Sequence, residues 1–504
     1  MRRLNRRSLI RFVGIAEHDV IVVHVHVIIL IIKWLDRKGI AMKKILLLTR
    51  NEGSDHIIEA LMKYDDIHVV LAVVGTCEER TIAESYSSRI DLIYTCLEGE
   101  LSNLECVDDL EYEVISQSRE IESDFEDGTG RFIDNYAMVK YRYYTSLSYW
   151  HAFFSKNEID CMIIRGLTHG LVHDVIPLYF ARKKNIPCYQ LEDNYFSVGS
   201  LFLPNESKYM EISLGMGLSL ERCMHYPLSA SPPKRKGVKA HCVHLISKLG
   251  GPLLLNLASD IRRGVWKRRT QFGIKYSEYS IMSAILSYWK FLRLYHYLNR
   301  LSGSVDYSCK YIVYYLQFEP EATTQVRCTL KSQLIAIKML SQALPKGWTL
   351  YVKEHPHQFL LNKENIGFDY YIPSVNKYKN KIYYDKIASM DHTVLVAPEV
   401  PSVQINKYAM AIATFNGTVA IEATKEKKPI LLFGAETTWL QYCEDIMKIS
   451  SFQSCKEMIE KICTGWEPNY DDLITVMNQY AYPRTPEGTS AVIRRIMEKE
   501  NVCN

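Results

Sequence analysis

Two series of short, continuously apolar runs, separated by a charged interval, constrain this chain more than any other feature. The first series starts at Lys43 and reads KILLLT, IHVVLAVVG, RIDLIYT, IDCMIIRG and IPCYQLE. The second starts at Tyr311 and reads YIVYYL, TLYVKE, HTVLVA, AMAIAT and PILLFG. A strand with one wet face alternates apolar and polar residues, whereas a parallel strand covered by helices on both faces reads as an unbroken apolar run. Helical patterns over 54–64, 172–184 and a long stretch over 322–344 separate several of these runs. The expectation is an α/β chain with two Rossmann-type domains facing each other across a cleft. A length of 504 residues, more than one hydrophobic core usually supports, agrees with two domains.

The interval between the series opens with SASPPKRKG at 229–237, a proline-rich charged break suited to a linker. The predicted division is an N-terminal extension over 1–41, a first domain over 42–228, a linker and basic helical arm over 229–310, and a second domain over 311–504. From Lys234 through Lys310 there are 15 lysines and arginines against 3 acids, a net +12 that leaves −8 for the rest of a chain whose total is +4. In RRGVWKRR (262–269) and YWKFLRLYHYLNR (288–300) aromatics alternate with cations. That pattern suits either an anionic membrane surface or a solvated arm between domains. Nucleic acid is not expected as a partner, since no recognition motif accompanies the charge.

The extension carries arginines at 2, 3, 6, 7 and 11 ahead of an apolar run from Val20 to Ile32. Thirteen residues at helical rise cover about 20 Å, short of a hydrocarbon core of about 30 Å. Because Met42 opens directly into a strand pattern, 1–41 reads as an upstream extension of the reading frame, with a signal anchor as the alternative. The 13 cysteines include no C-x-x-C pair, and the expectation is reduced thiols in a cytoplasmic protein.

Three segments carry chemistry. In AMAIATFNGTVAIEATKEKKPILLFG (409–434) a strand gives way to a tight turn at Asn416 and Gly417, and a helix opens near Thr418, whose hydroxyl is the expected cap. Backbone amides there point toward a cleft, a common way of holding phosphate, and Glu422 lies one helical turn beyond Thr418, within reach of a ribose. In VKEHPHQ (352–358) Pro356 stops the strand and fixes His355, an imidazole able to donate to a phosphate, with Lys353 supplying charge. No third ligand accompanies the two histidines, so no metal is expected. In CYQLEDNYFSVGSLFLP (188–204) Glu192 and Asp193 leave a strand as adjacent carboxylates, followed by Asn194. Either acid suits deprotonation of an acceptor hydroxyl or attack on a sugar carbon. GLTHGLVHD places His169 and His173 four apart without the glutamate of a zinc protease helix. The first strand is not followed by G-x-G-x-x-G, so nothing supports a dinucleotide site there.

Taken in order, these segments resemble the bacterial capsule polysaccharide biosynthesis family, which includes Kdo transferases. LEDNYFSVGSLFL is similar to that family's Glu-Asp-Gly-Phe block, with Asn194 in place of glycine. YYLQFEPEATT (314–324) is similar to its Leu-Gln-x-x-Pro-Glu segment, and VKEHPHQ to its Lys-x-His-Pro segment. VPSVQINKYAMAIATFNGTVAIEATKEKKPILLFG resembles its closing serine, Asn/Ser-Gly/Ser-Thr and Gly-x-Glu-Ala blocks, with Ala420 and Lys427 where glycines are usual.

The resemblance implies a metal-independent GT-B glycosyltransferase without a cofactor, whose donor is a nucleotide-sugar, commonly a CMP-activated acidic sugar, and whose acceptor is a glycan or glycolipid. It implies that His355, Pro356, Lys353, Asn416, Gly417 and Thr418 serve the donor phosphate, that Glu422 and Ser402 contact the nucleoside, and that Gln317 and Glu319 line the cleft. It makes Asp193 the first choice for the catalytic carboxylate, with Glu192 as the neighbour an error of one position would select. Its implied place is the cytoplasm, with peripheral attachment at the inner membrane face left open. A UDP-sugar or CDP-glycerol donor, and a non-catalytic glycan-binding scaffold of capsule assembly, stand as alternatives.

Overall fold

The computed structural model describes residues 42–49, 53–95, 103–131, 133, 135–166, 170–193, 198–219, 270–271, 274–275, 281–359 and 377–501. The extension over 1–41, most of the linker, RRGVWKRR, Asn194 and His169 lie outside them.

The strands in chain order are β1 (Lys43–Thr49), β2 (Ile67–Val74), β3 (Ile90–Thr95), β4 (Cys161–Arg165), β5 (Cys188–Asp193), β6 (Val198–Leu203), β7 (Lys208–Tyr209), β8 (Thr270–Gln271), β9 (Ile274–Lys275), β10 (Tyr311–Tyr315), β11 (Thr349–Lys353), β12 (Thr393–Val396), β13 (Ala411–Thr414), β14 (Ile430–Leu432), β15 (Met447–Lys448) and β16 (Ala481–Pro483). All ten apolar runs form strands; KILLLT is kept whole and the other nine lose one to three residues at their ends. The first sheet runs β16-β6-β5-β4-β1-β2-β3, with β3 through β5 parallel and β6 and β16 antiparallel at the far side. The second runs β12-β11-β10-β13-β14-β15, parallel throughout. Each sheet reverses its winding beside its first strand, between β1 and β4 and between β10 and β13, and such switch points open a crevice at the carboxyl ends of the strands. Helices cover both faces, so the interior strands are buried as their continuous apolar sequences require.

Three features depart from the sequence reading. The stretch over 322–344 is not one helix: a π-helical turn, Thr323–Arg327, is followed by extended chain before the helix Gln333–Ala343. Thr323, Thr324 and Val326 are β-branched, which weakens a continuous helix here. The division at 311–504 also fails at its end, because β16 joins the first sheet against β6 and the helix Pro486–Lys499 places Val492, Ile493 and Ile496 in the first domain's core. Finally, the last part of the predicted arm is a helix, Ile281–Leu301, that buries Leu294, Tyr295 and Leu298 in the second domain's core.

Candidate functional site

At the carboxyl edge of the second sheet, β10 stands between β11 and β13, with Tyr315 in register with both Lys353 and Thr414. Gln317, His355 and Asn416–Gly417 therefore leave the sheet side by side. Gln317 donates its amide to Thr414 Oγ1 at 2.7 Å, and Gly417 closes over the pair: a Cβ at 417 would stand 2.9 Å from both atoms. The amide of Gly417 donates to the same hydroxyl at 3.3 Å. His355 is half-buried, its ring 6.3 Å from that of Phe318. Its backbone amide donates to Glu354 Oε1 at 2.6 Å, and Glu354 is anchored by a fully buried pair with Lys379 at 2.8 Å and by the Tyr384 hydroxyl at 2.6 Å. The imidazole thus stands on a rigid base, since breaking a buried ion pair to release it is costly. Behind this row the Tyr315 hydroxyl donates to Asn406 at 2.5 Å, on the helix that Ser402 opens. Burial raises the Tyr315 hydroxyl, with half-buried Glu422 adding to it; the Glu422 carboxyl is itself raised by burial and then by Glu426.

Several predicted roles at this edge are corrected. Lys353 does not present its charge to the cleft: its ammonium is buried on the Pro398 carbonyl at 2.9 Å, and burial pushes it down to about 8. Glu319 is buried, accepting from Thr324, Gln325 and Gln333 at 2.7–3.0 Å, so it braces the loop rather than lining a cleft. Gln317 likewise braces, taking Lys379 on its carbonyl at 2.7 Å. Thr418 precedes the helix Val419–Lys425 in helical geometry and makes no cap hydrogen bond. A cap residue normally holds an extended backbone so that its oxygen faces the first free amides. Pro356 does end the extended run, opening a single 3-10 turn, Pro356–Phe359.

The first sheet's carboxyl edge is built differently. Glu192 and Asp193 alternate across β5, and only one is available. Glu192 is fully buried, receives the Tyr209 hydroxyl at 2.8 Å, and has its carboxyl raised by burial, with Arg327 opposing. The Arg327 Nη2 atom lies 2.8 Å from Glu192 Oε1, off the axis of a hydrogen bond, and its guanidinium lies 3.9 Å from the centre of the Phe202 ring. Glu192 is therefore a strut between domains, and its candidacy as the catalytic acid is withdrawn. Asp193 keeps 31% side-chain exposure, with Oδ1 held by Arg165 at 2.5 Å and Arg484 at 3.0 Å. Both arginines line a cavity of about 430 Å³ with Gly53, His56, Thr76, Glu79 and Tyr482. A larger hollow of about 780 Å³ lies at the opposite, amino-terminal edge, where Lys44 pairs with Glu158 and His68 with Asp91. The rule that places ligands at carboxyl ends of parallel strands favours the smaller one.

Glu79 is the residue that sequence reasoning missed most completely. Its buried carboxylate accepts from the backbone amides of Gly53, Ser54, Gly75 and Thr76, at 2.8–3.1 Å for the last three. The loops after β1 and β2, where a phosphate would sit in a nucleotide-binding sheet, are filled by the chain's own acid. The sequence held half the signal, a Thr-x-x-Glu capping box at Thr76 and Glu79. It held none for the partner loop at Gly53, nor for Lys379 under Glu354. Arg484 arrives from the C-terminal crossing, which gave no local strand pattern.

The two edges meet. Besides Arg327 against Glu192, Lys331 pairs with Asp124 at 2.6 Å and Asp127 at 3.1 Å. Arg327 ends the π-helical turn whose Thr324 and Gln325 hold Glu319, next to the Gln317 loop. Two Rossmann-type sheets joined through their carboxyl-side loops, with the C-terminal helix crossing back, define a GT-B-like α/β architecture. Among the described residues no cluster of three metal-ligating side chains is present, the cysteines are free thiols, and no helix is long and apolar enough to cross a membrane.

No protein-family model and no curated protein matches the chain. Among solved structures it is similar to the beta Kdo 2,7 transferase KpsC of Thermosulfurimonas dismutans, at 13% identity over 74% of this chain and 95% of that one, with a TM-score of 0.30. It is also similar to UDP-GlcNAc 2-epimerases from Methanocaldococcus jannaschii (12% identity, 91% and 100% covered, TM-score 0.25) and Neisseria meningitidis (14%, 91% and 100%, 0.21). At identities and TM-scores this low, the likeness decides nothing about what this chain binds or does.

Proposed function

We propose that the protein is a glycosyltransferase that moves a sugar, a CMP-activated acidic sugar such as Kdo, from a nucleotide donor to a growing surface polysaccharide or glycolipid. One observation carries the reading: two carboxyl edges meet, one presenting an imidazole beside a glycine-closed loop, the other a half-exposed carboxylate steered by two arginines. In this reading His355 and the Asn416–Thr418 backbone hold the donor phosphate as charge develops on it, and preorganised donors of this kind usually give the greatest part of the rate enhancement. Ser402 and Glu422, both near the Tyr315 hydroxyl, take the nucleoside. Asp193 accepts the acceptor hydroxyl's proton while that oxygen bonds to the anomeric carbon and the sugar–phosphate bond breaks. The acceptor sits on the first domain and is met at an anionic membrane face.

The test is a thermal-shift series with CMP, CDP, UDP and GDP, paired with transfer assays on Asp193→Asn. The expected result is stabilisation by CMP, retained in the variant, with transfer down about 10²–10⁴-fold. Stabilisation by UDP or CDP instead would select the alternative donors. Stabilisation by no nucleotide would leave only the scaffold reading, and turnover indifferent to Asp193 would remove this carboxylate as the catalytic base.

A further inference from the structure

The helix Ile281–Leu301 contains no acid among its 21 residues and has two unlike faces. One is the core face of Leu294, Tyr295 and Leu298. The other bears Leu286 at 49% exposure, Trp289 at 51%, exposed Lys290, Arg293 and Arg300, and half-buried Tyr297. At about 100° per residue these six fall within an arc of roughly 100°, a single stripe. The Arg293 guanidinium stands 4.6 Å from the centre of the Trp289 ring, and Lys381 stands 4.8 Å from that of Tyr297. The adjoining helix Lys381–Ala388 adds Ile382, at 76% exposure. The acids packed against this face are engaged: Asp385 takes the Tyr297 hydroxyl and pairs with Lys381 at 2.6 Å, and Glu399 takes the Tyr295 hydroxyl.

We propose that this stripe is a docking surface for an anionic lipid bilayer. Charge complementarity selects the occupant: Lys290, Arg293 and Arg300 stand exposed on the stripe with Lys381 beside it, the helix holds no acid, and the adjoining Asp385 and Glu399 are engaged, so this face attracts a negative plane. The chemistry of the exposed apolar groups agrees. A tryptophan, a leucine and an isoleucine among cations are what an interfacial helix face offers to headgroups and upper acyl chains, and guanidinium over indole keeps the cation at ring level. A protein partner of matching charge would gain little from isolated apolar side chains with cations between them.

The surface stands independently of the sugar-transfer reading, and its test is separate. Full-length protein is sedimented with vesicles of phosphatidylcholine alone and of phosphatidylcholine with about one third phosphatidylglycerol. The expected result is at least about tenfold tighter binding to the anionic vesicles, weakened several-fold between about 0.1 M and 0.5 M salt. Lys290→Glu with Arg293→Glu removes the preference, and Leu286→Ser with Trp289→Ala lowers affinity while leaving salt dependence. Each variant keeps the wild-type melting temperature and nucleotide response, because every altered side chain is exposed. Equal binding to both vesicles, binding indifferent to salt, or variants that bind as wild type would each overturn the proposal. Retention on a soluble polyanion without vesicle binding would overturn it in favour of that class of partner.

Discussion

The carboxyl edges of the two sheets start from the same topology and end in opposite states. At the first, Glu79 occupies the backbone amides of two loops, and Asp193 is clamped by Arg165 and Arg484. At the second, the turn after β13 is closed by a glycine against the neutral groups of Gln317 and Thr414. Among the described residues no acidic side chain accepts from the amides of Asn416 to Val419. An edge that satisfies its own amides has nothing left for an external anion; an edge held by neutral groups does. The same fold thus yields one edge whose loop amides are taken by an internal acid and one whose turn is held by neutral groups.

The largest expected effect tests whether the two edges act as one body. Glu192 and Arg327 form a charge pair at the domain junction, Glu192 fully buried and Arg327 with 12% exposure. Removing one partner strands the other, at a cost of about 3–5 kcal/mol. Arg327→Met and Glu192→Gln are each expected to lower the urea midpoint sharply, and the double variant to cost much less than the two single losses together. Strict additivity would mean that the edges are held together elsewhere.

Converting the first edge into a copy of the second comes next. Glu79→Ala empties a nest of four amides, at a cost of about 2–4 kcal/mol. Inorganic phosphate or sulfate is then expected to raise the variant's melting temperature by several degrees while barely moving the wild type, because only the variant has vacant donors. Equal responses from both proteins would show that the nest is no anion site even when empty.

The fold was largely readable in advance because parallel strands buried on both faces leave an unbroken apolar record, and all ten runs became strands. What escaped were contacts between segments far apart in sequence. Ala481–Pro483 is too short to carry a periodicity, so its return to the first sheet, and Arg484 with it, left no local trace. Glu354 sat unremarked inside VKEHPHQ because its importance depends on Lys379 and Tyr384. The choice between Glu192 and Asp193 needed knowledge of which face of β5 meets Arg327, information absent from a strand whose faces are both buried.

At the second edge the glycine itself is the sharpest probe. Gly417→Ala puts a methyl group 2.9 Å from Gln317 Nε2 and Thr414 Oγ1. The Gln317 amide can swing aside, so the fold is expected to lose only about 1 kcal/mol. The turn it helps shape is expected to bind nucleotide about tenfold more weakly, measured by calorimetry. Undiminished affinity would remove this turn from the donor site.

The smallest effect concerns Lys353, a cation in the second edge that the cleft does not use. Burial pushes its ammonium from the ordinary 10.5 down to about 8. Between about pH 8 and pH 10.5 the unfolded chain holds a proton that the folded chain has released, so this group makes stability rise with pH across that window. Below it the folded state carries the whole cost of a buried charge, about 3 kcal/mol at 2% exposure. Lys353→Met removes that cost but also the bond to the Pro398 carbonyl, worth about 1 kcal/mol and more if the carbonyl is stranded. The net expectation is a variant about 1 kcal/mol more stable at pH 7, with the advantage shrinking toward pH 10 and nucleotide binding unchanged. Urea unfolding at both pH values decides it. Curves that stay parallel would mean that Lys353 is solvated, and would return it to the candidates for the donor phosphate.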